Sequence, residues 1–317
     1  MGSGQLAALA AAMIWACTSV ALTSLSTRIA PVVLSGLRLA FGSVVVLIVL
    51  AFSGQAHDLG NASTASLAGV VLSGFVGYGL GDTIYIVALK RVGMQRTFPI
   101  TMALFITLTV LGGVIVLGED FTWGLPLGAL LIGAGVYLLV IPGKGSNPQP
   151  MPPVPAEPAM NTMAETRRPP AFAAPDAFGY GMLLAVGILW AVATLWLANA
   201  RGDLEAIAAG SIRTPAGATA LLGFAMATQR PNLVAPFRNR NHIGAILAAG
   251  MVGTGFGSLL YVYSVLEAGA AQAAVLSATS PLMALPLSIL FLGERFTRRI
   301  GAGTVVCVAG IIVVVSG

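Results

Sequence analysis

The sequence predicts an all-α polytopic membrane protein, ten transmembrane helices arranged as two inverted five-helix repeats. Three observations predict it. The 317 residues are 57% hydrophobic and 9% charged, with a mean hydropathy of +0.91, which leaves too few polar side chains to clothe a water-soluble globule of this size. Ten apolar runs approach the roughly 20 residues that a helix needs to cross about 30 Å of hydrocarbon. The chain is also one unit written twice: Gly118, Glu119, Phe121 and Thr122 return 175 positions later as Gly293, Glu294, Phe296 and Thr297.

The first run, residues 6–25, has no basic segment before it and no convincing small-residue cleavage site after it. It is therefore read as a retained helix and not a signal peptide. Its Trp15 returns as Trp190. The second run, 32–52, carries Arg38 and Gly42, matched by Arg213 and Gly217. In the third, 67–89, the offset becomes 176: Gly74, Gly77, Gly79, Gly81 and Tyr85 meet Gly250, Gly253, Gly255, Gly257 and Tyr261, with Gly93 beyond it meeting Gly269. The fourth run, 98–117, ends on the repeated Gly-Glu. The fifth, 125–141, carries Gly128 and Gly135, matched by Gly303 and Gly310. The second half repeats the series at 178–198, 204–227, 243–266, 271–292 and 300–315. Residues 142–177 separate the halves and hold ten of the chain's eighteen prolines. Such sequence cannot bury enough apolar surface to offset ordering entropy and is read as an extended or disordered linker. The domains are thus 1–141, 142–177 and 178–317.

Five spans are an odd number, so the second copy must enter the membrane from the side opposite to the first. Loop charges agree. The loops after spans one, three, five, seven and nine hold Arg28; Lys90, Arg91 and Arg96; Lys144, Arg167 and Arg168; Arg230, Arg238 and Arg240; and Arg295, Arg298 and Arg299, whereas the others hold only Arg201. The positive-inside rule places these loops and the linker in the cytoplasm and both termini outside. The formal charge of +5 follows from that bias, and without basic segments interleaved with aromatics it gives no sign of nucleic-acid binding.

With Trp15 and Trp190 in the first spans, Leu37-Arg38-Leu39 and Ile212-Arg213-Thr214 in the second, and Leu117-Gly118-Glu119 and Leu292-Gly293-Glu294 followed by Thr122, Thr297, Gly128 and Gly303, the chain resembles the EamA-type transporters of the drug/metabolite transporter superfamily. Gly81-Asp82-Thr83 with Tyr85 and Ala88-Leu89 is similar to one bacterial subgroup. One departure stands out: Ala16 and Ala191 follow the tryptophans where the family usually has glycine. The resemblance implies a ten-helix inverted-repeat carrier in the bacterial plasma (inner) membrane that alternates access to a central cavity. Its cargo would be a small polar metabolite, amino-acid-like and exported. A non-transporting sensor or scaffold and an intramembrane enzyme are the alternatives. No nucleotide-binding motif is present, no cofactor is implied, and the partners are a small-molecule substrate, the bilayer and protons as coupling ion.

Polar groups inside the hydrocarbon are where such a protein works, since a charge near the helix centre costs roughly 2.5–3.5 kcal/mol on insertion scales. Arg38 lies seven residues into its span and Asp82 eight residues before Lys90, so at about 1.5 Å per residue both sit about 10–12 Å from the cytoplasmic face. Equal depth permits an ion pair, with Asp82 serving either structure or proton coupling. Opposite Arg213 the matching residue is Ser258, not a carboxylate. That guanidinium either receives an anionic group of the cargo or snorkels toward Asp203 and Glu205. Helical spacing puts Tyr78, Asp82 and Tyr85 on one face, matched by Thr254, Ser258 and Tyr261. Trp15, Trp190 and these residues are the candidate cavity lining. Pro281 and Pro286 read as a bend in span nine. Glu119 and Glu294, at helix ends, read as capping or pairing with neighbouring loops. Cys17 and Cys307 read as packing residues. Two loop histidines, His57 and His242, make neither a metal centre nor a triad.

Overall fold

The computed structural model describes residues 1–26, 28–92, 94–140, 177–200, 202, 204–280, 282–283 and 298–316. Among these there is no strand. The first half comprises α1 (Ser3–Ser26), α2 (Pro31–Ser53), a short α3 (Ala56–Asn61), α4 (Thr64–Gly74) running through a π-helical segment π1 (Phe75–Gly81) into α5 (Asp82–Val92), α6 (Met94–Leu117) and α7 (Gly124–Val140). In the second half follow α8 (Ala177–Ala200), α9 (Ala206–Thr228), a short α10 (Arg230–Val234) leading into a 3₁₀ turn, α11 (Arg240–Ala248), π2 (Ala249–Phe256), α12 (Gly257–Ala268), α13 (Ala270–Ser277) and α14 (Arg298–Ser316). Among the described residues, five helices are long and apolar enough to cross a membrane: Pro31–Ser53, Thr64–Ala88, Ile100–Leu117, Ala177–Ala200 and Arg240–Ala268. Shorter apolar helices at Ser3–Thr18, Gly124–Leu138 and Gly301–Ser316 accompany them. The linker from 142 to 176, Pro281 and the second part of span nine from 284 with Pro286, and Glu294 with its motif lie outside the described residues, as do Arg201 and Asp203.

Helix ends follow local chemistry. Pro31 opens α2, where a missing N–H costs nothing, and Gly54 closes it at φ +77°. Ser63 caps α4 by accepting from Ser66 N, and Asn239 caps α11 by accepting from Asn241 N and His242 N. Glu119 does more than finish its own helix. Its Oε1 and Oε2 accept from the backbone N–H groups of Ala270 (2.6 Å) and Ala271 (3.1 Å). The carboxylate of the first half thus caps α13 of the second, where the helix dipole also favours it.

The two halves exchange helices. α1 packs on α12 and α13, while α8 packs on α4, π1, α5 and α6; α2 lies against α9, and α7 against α14. The largest buried cluster accordingly draws Ala8 and Ala11 from one half and Leu197, Val262 and Leu276 from the other. Lipid is as apolar as these side chains, so close backbone approach and interhelical hydrogen bonds, more than hydrophobic expulsion, hold such helices together. The approach is tight at equivalent places: a Cβ on Gly74 would stand 2.1 Å from the Arg213 carbonyl oxygen, and one on Gly250 2.6 Å from that of Arg38. Cys307 is buried against Gly135, as a packing residue should be, whereas Cys17 is exposed. Ile115, Val116, Leu130, Val305 and Ile312 face outward, the apolar exterior that a bilayer solvates.

Candidate functional site

At the junction of π1 and α5, Asp82 is the hub of a polar cluster built from both halves. Its Oδ2 pairs with Arg38 Nη2 from α2. Its Oδ1 accepts from Trp190 Nε1 of α8 at 3.1 Å. Tyr85, one turn further along α5, lies against the Trp190 ring (centroids 5.1 Å apart, planes at 40°), and Phe105 of α6 meets the same indole edge-on at 6.2 Å. Only glycine fits at 81, since a Cβ there would come within 2.7 Å of Trp190. The Arg38 and Asp82 side chains keep 15% and 17% of their surface exposed.

The equivalent aromatic pair closes the opposite exchange. Trp15 of α1 donates through Nε1 to the Gly253 carbonyl of π2 (3.0 Å) and packs on Tyr261 of α12 at 5.4 Å. The Tyr261 hydroxyl shares a hydrogen bond with Thr194 Oγ1 of α8 (3.0 Å). Ser258 sits 3.4 Å from Thr214 Oγ1 and donates to the Gly255 carbonyl at 3.3 Å. A serine hydroxyl is a weaker acceptor than a carboxylate, and the Trp15 N–H goes to a backbone carbonyl instead.

Arg213 is 2% exposed. Its Nε donates to Ser73 Oγ (3.1 Å), which itself donates to the Ala193 carbonyl (2.6 Å), and its Nη1 donates to the Tyr78 hydroxyl (3.1 Å). The guanidinium carbon stands 4.3 Å from the Tyr78 ring centroid, a cation–π arrangement that offsets part of the burial cost. Among the described residues no carboxylate lies within ion-pair distance of it. The expected turn toward Glu205 is not seen: that residue is exposed at the start of α9, while Arg213 reaches across to α4 and π1.

The structure thus brings together Arg38, Asp82, Tyr85 and Trp190; Trp15 with Tyr261; and Arg213 with Tyr78. The expected single stripe of Tyr78, Asp82 and Tyr85 is divided, with Tyr78 serving Arg213 and the other two serving Arg38 and Trp190. The cause is π1: its i→i+5 turns break the i, i+4 spacing between 78 and 82. Ser73 and Phe105 were missed. Their only sequence signal was a hydroxyl or ring at a depth shared with a candidate. No group of three metal-ligating side chains occurs among the described residues.

These features define a helical membrane protein whose polar centre is assembled from two interlocked copies of one unit. The chain matches the model of the EamA-like transporter family twice, over residues 2–141 and 177–316. It belongs to that family, whose members are transporters. Of the solved structures, 27 chains match. One, a crystal structure of a protein, agrees with TM-score 0.73 at 18% identity, covering 98% of this chain and 96% of its own, a likeness of fold. No curated protein matches.

Proposed function

We propose that the chain is a ten-helix secondary transporter that exports a small polar, amino-acid-like metabolite bearing an anionic group. It lies in the bacterial inner membrane with the linker cytoplasmic and both termini outside. One observation carries the reading beyond the family: of two arginines at equivalent depth, Arg38 is neutralised by Asp82, while Arg213 meets only hydroxyls and a ring among the described residues. A cation–π contact contributes about 2 kcal/mol when desolvated, less than the roughly 2.5–3.5 kcal/mol insertion cost. The centre therefore keeps a net positive charge that attracts an anion. With Nε and Nη1 already used, Arg213 supplies field more than contact, and the cargo sits among Trp15, Arg38, Tyr78, Asp82, Tyr85, Trp190, Ser258 and Tyr261.

Alternating access would use the exchanged packing. One body comprises α1 with α12 and α13, the other α8 with α4, α5 and α6, so each moving unit contains both halves and the site lies between them. Protonation of Asp82 would loosen both Arg38 and Trp190 at once, which couples a proton to the movement.

Proteoliposomes offered labelled amino acids, nucleosides and sugars, with and without a proton gradient, test the reading. Saturable flux of an anionic or zwitterionic solute that falls in Arg213→Gln and persists in Arg213→Lys supports it. A preference for cationic solutes sinks the charge argument. No flux of any solute from folded protein sinks the carrier reading.

A further inference from the structure

The two halves differ around their arginines, and the difference leaves polar atoms without partners on one side only. Beside Arg213 stand Ser73, which accepts from Nε, and Tyr78, whose ring covers the guanidinium. The residues 176 positions on are Ala249 and Thr254, on the π2 segment that packs against α2. Backbone placement is equivalent: a Cβ on Gly217 would lie 3.2 Å from Tyr78 Cβ, and one on Gly42 2.8 Å from Thr254 Cβ. Thr254 therefore occupies beside Arg38 the place that Tyr78 occupies beside Arg213.

Two substitutions account for two orphans. With alanine where the other half has Ser73, Arg38 Nε is buried without a hydrogen-bond partner. With threonine where the other half has Tyr78, no ring covers Arg38 among the described residues, and Thr254 Oγ1 is buried and also unpartnered. The Thr254 methyl packs over Gly42, which leaves the hydroxyl for something else. Native proteins pair buried polar groups with few exceptions, and two of the seven among the described residues belong to Arg38 and Thr254, on α2 and on the π2 segment packed against it.

We propose that Arg38 Nε–H and Thr254 Oγ1–H together seat the carboxylate of the cargo, one carboxylate oxygen accepting from each, while Arg38 Nη2 stays on Asp82. This rests on the reading of the chain as a carrier. Both atoms are sealed by protein here, so the seat forms only when π2 and α2 shift to admit the carboxylate. Arg38, Asp82 and Arg213 leave one positive charge in excess, which the carboxylate group of the cargo offsets locally and a neutral amide group does not.

Thr254→Val separates this from a mere packing defect, because it replaces a buried orphan hydroxyl with a methyl of similar size. If the hydroxyl has no ligand, the variant is as stable as wild type or more so and binds unchanged. If it holds the cargo, the affinity falls about tenfold at unchanged or raised Tm. The probes are the free L-amino acids and their C-terminal amides, titrated into detergent-solubilised protein and followed by tryptophan fluorescence. A bound acid whose amide binds at least about tenfold more weakly, and which is weakened by both Thr254→Val and Arg38→Lys, is the expected result. Equal affinity for acid and amide, or an unchanged Kd in Thr254→Val for a solute that wild type transports, overturns the seat and leaves the carrier standing. Wild type that neither binds nor moves any of the acids overturns both.

Discussion

Replacing Asp82 by Asn removes one charge while keeping an oxygen for Trp190. Arg38 is then left with a buried guanidinium whose Nη2 faces a neutral amide and whose Nε already lacks a partner. Breaking a fully buried pair costs about 3–5 kcal/mol. The 15% and 17% exposure of the two side chains and the surviving Trp190 bond reduce that to about 2 kcal/mol for Asp82→Asn. Arg38→Gln strands the carboxylate instead, at a similar cost of about 2 kcal/mol. The double variant has no charge left to strand and should lose only about 1 kcal/mol, giving a coupling energy of about 3 kcal/mol. Unfolding by SDS in mixed micelles, read by tryptophan fluorescence, measures all four proteins. Single costs that add to the double cost within about 0.5 kcal/mol would show the pair to be energetically idle, and the hub role of Asp82 would fall with it.

Glu119→Ala should destabilise the protein by about 1–2 kcal/mol by freeing two N–H groups at the start of α13, and Glu119→Gln by about half as much, because one good acceptor remains; thermal unfolding checks both. Gly74→Ala should cost about 3 kcal/mol or more through collision with the Arg213 carbonyl, whereas Gly133→Ala, where nothing lies within 4 Å, should be neutral or slightly stabilising. Folded yield by size-exclusion chromatography separates these two. A protease site inserted between 141 and 176 and then cut should leave the halves co-purifying in mild detergent, since their contacts do not depend on the linker; two separate peaks would contradict the exchanged packing.

Most of the helix boundaries were legible because hydrocarbon demands uninterrupted apolar runs. The second predicted run, 32–52, compares with Pro31–Ser53, and the sixth, 178–198, with Ala177–Ala200. The Arg38–Asp82 pair was legible because a charge in hydrocarbon must find its opposite at the same depth. Glu119 read as a cap, but its partner did not, since a repeat shows which positions are equivalent and not which copies touch. The same blindness hid Trp190 on Asp82 and Tyr261 on Trp15. π1 and π2 were invisible because their glycines signal close approach as readily as an altered turn, and without π1 the stripe from Tyr78 to Tyr85 looked continuous. Arg213 was correctly seen to lack a carboxylate at the repeat-matched position, but its hydroxyl from Ser73 and ring from Tyr78 come from helices that no local spacing connects to it.

The exchange of helices also sets a clock. Trp15 and the Gly253 carbonyl it bonds are 238 positions apart, so at roughly 5–20 residues per second the tryptophan is synthesised about 12–48 s before its acceptor. Through that interval α1, with Asp82 behind it awaiting Trp190, must wait in the membrane half-dressed, its polar atoms turned toward lipid, water or the insertion machinery. A codon change that slows the ribosome between the halves lengthens that exposure without altering one atom of the finished protein. The quantity it would alter is the fraction of chains that survive to meet their second half.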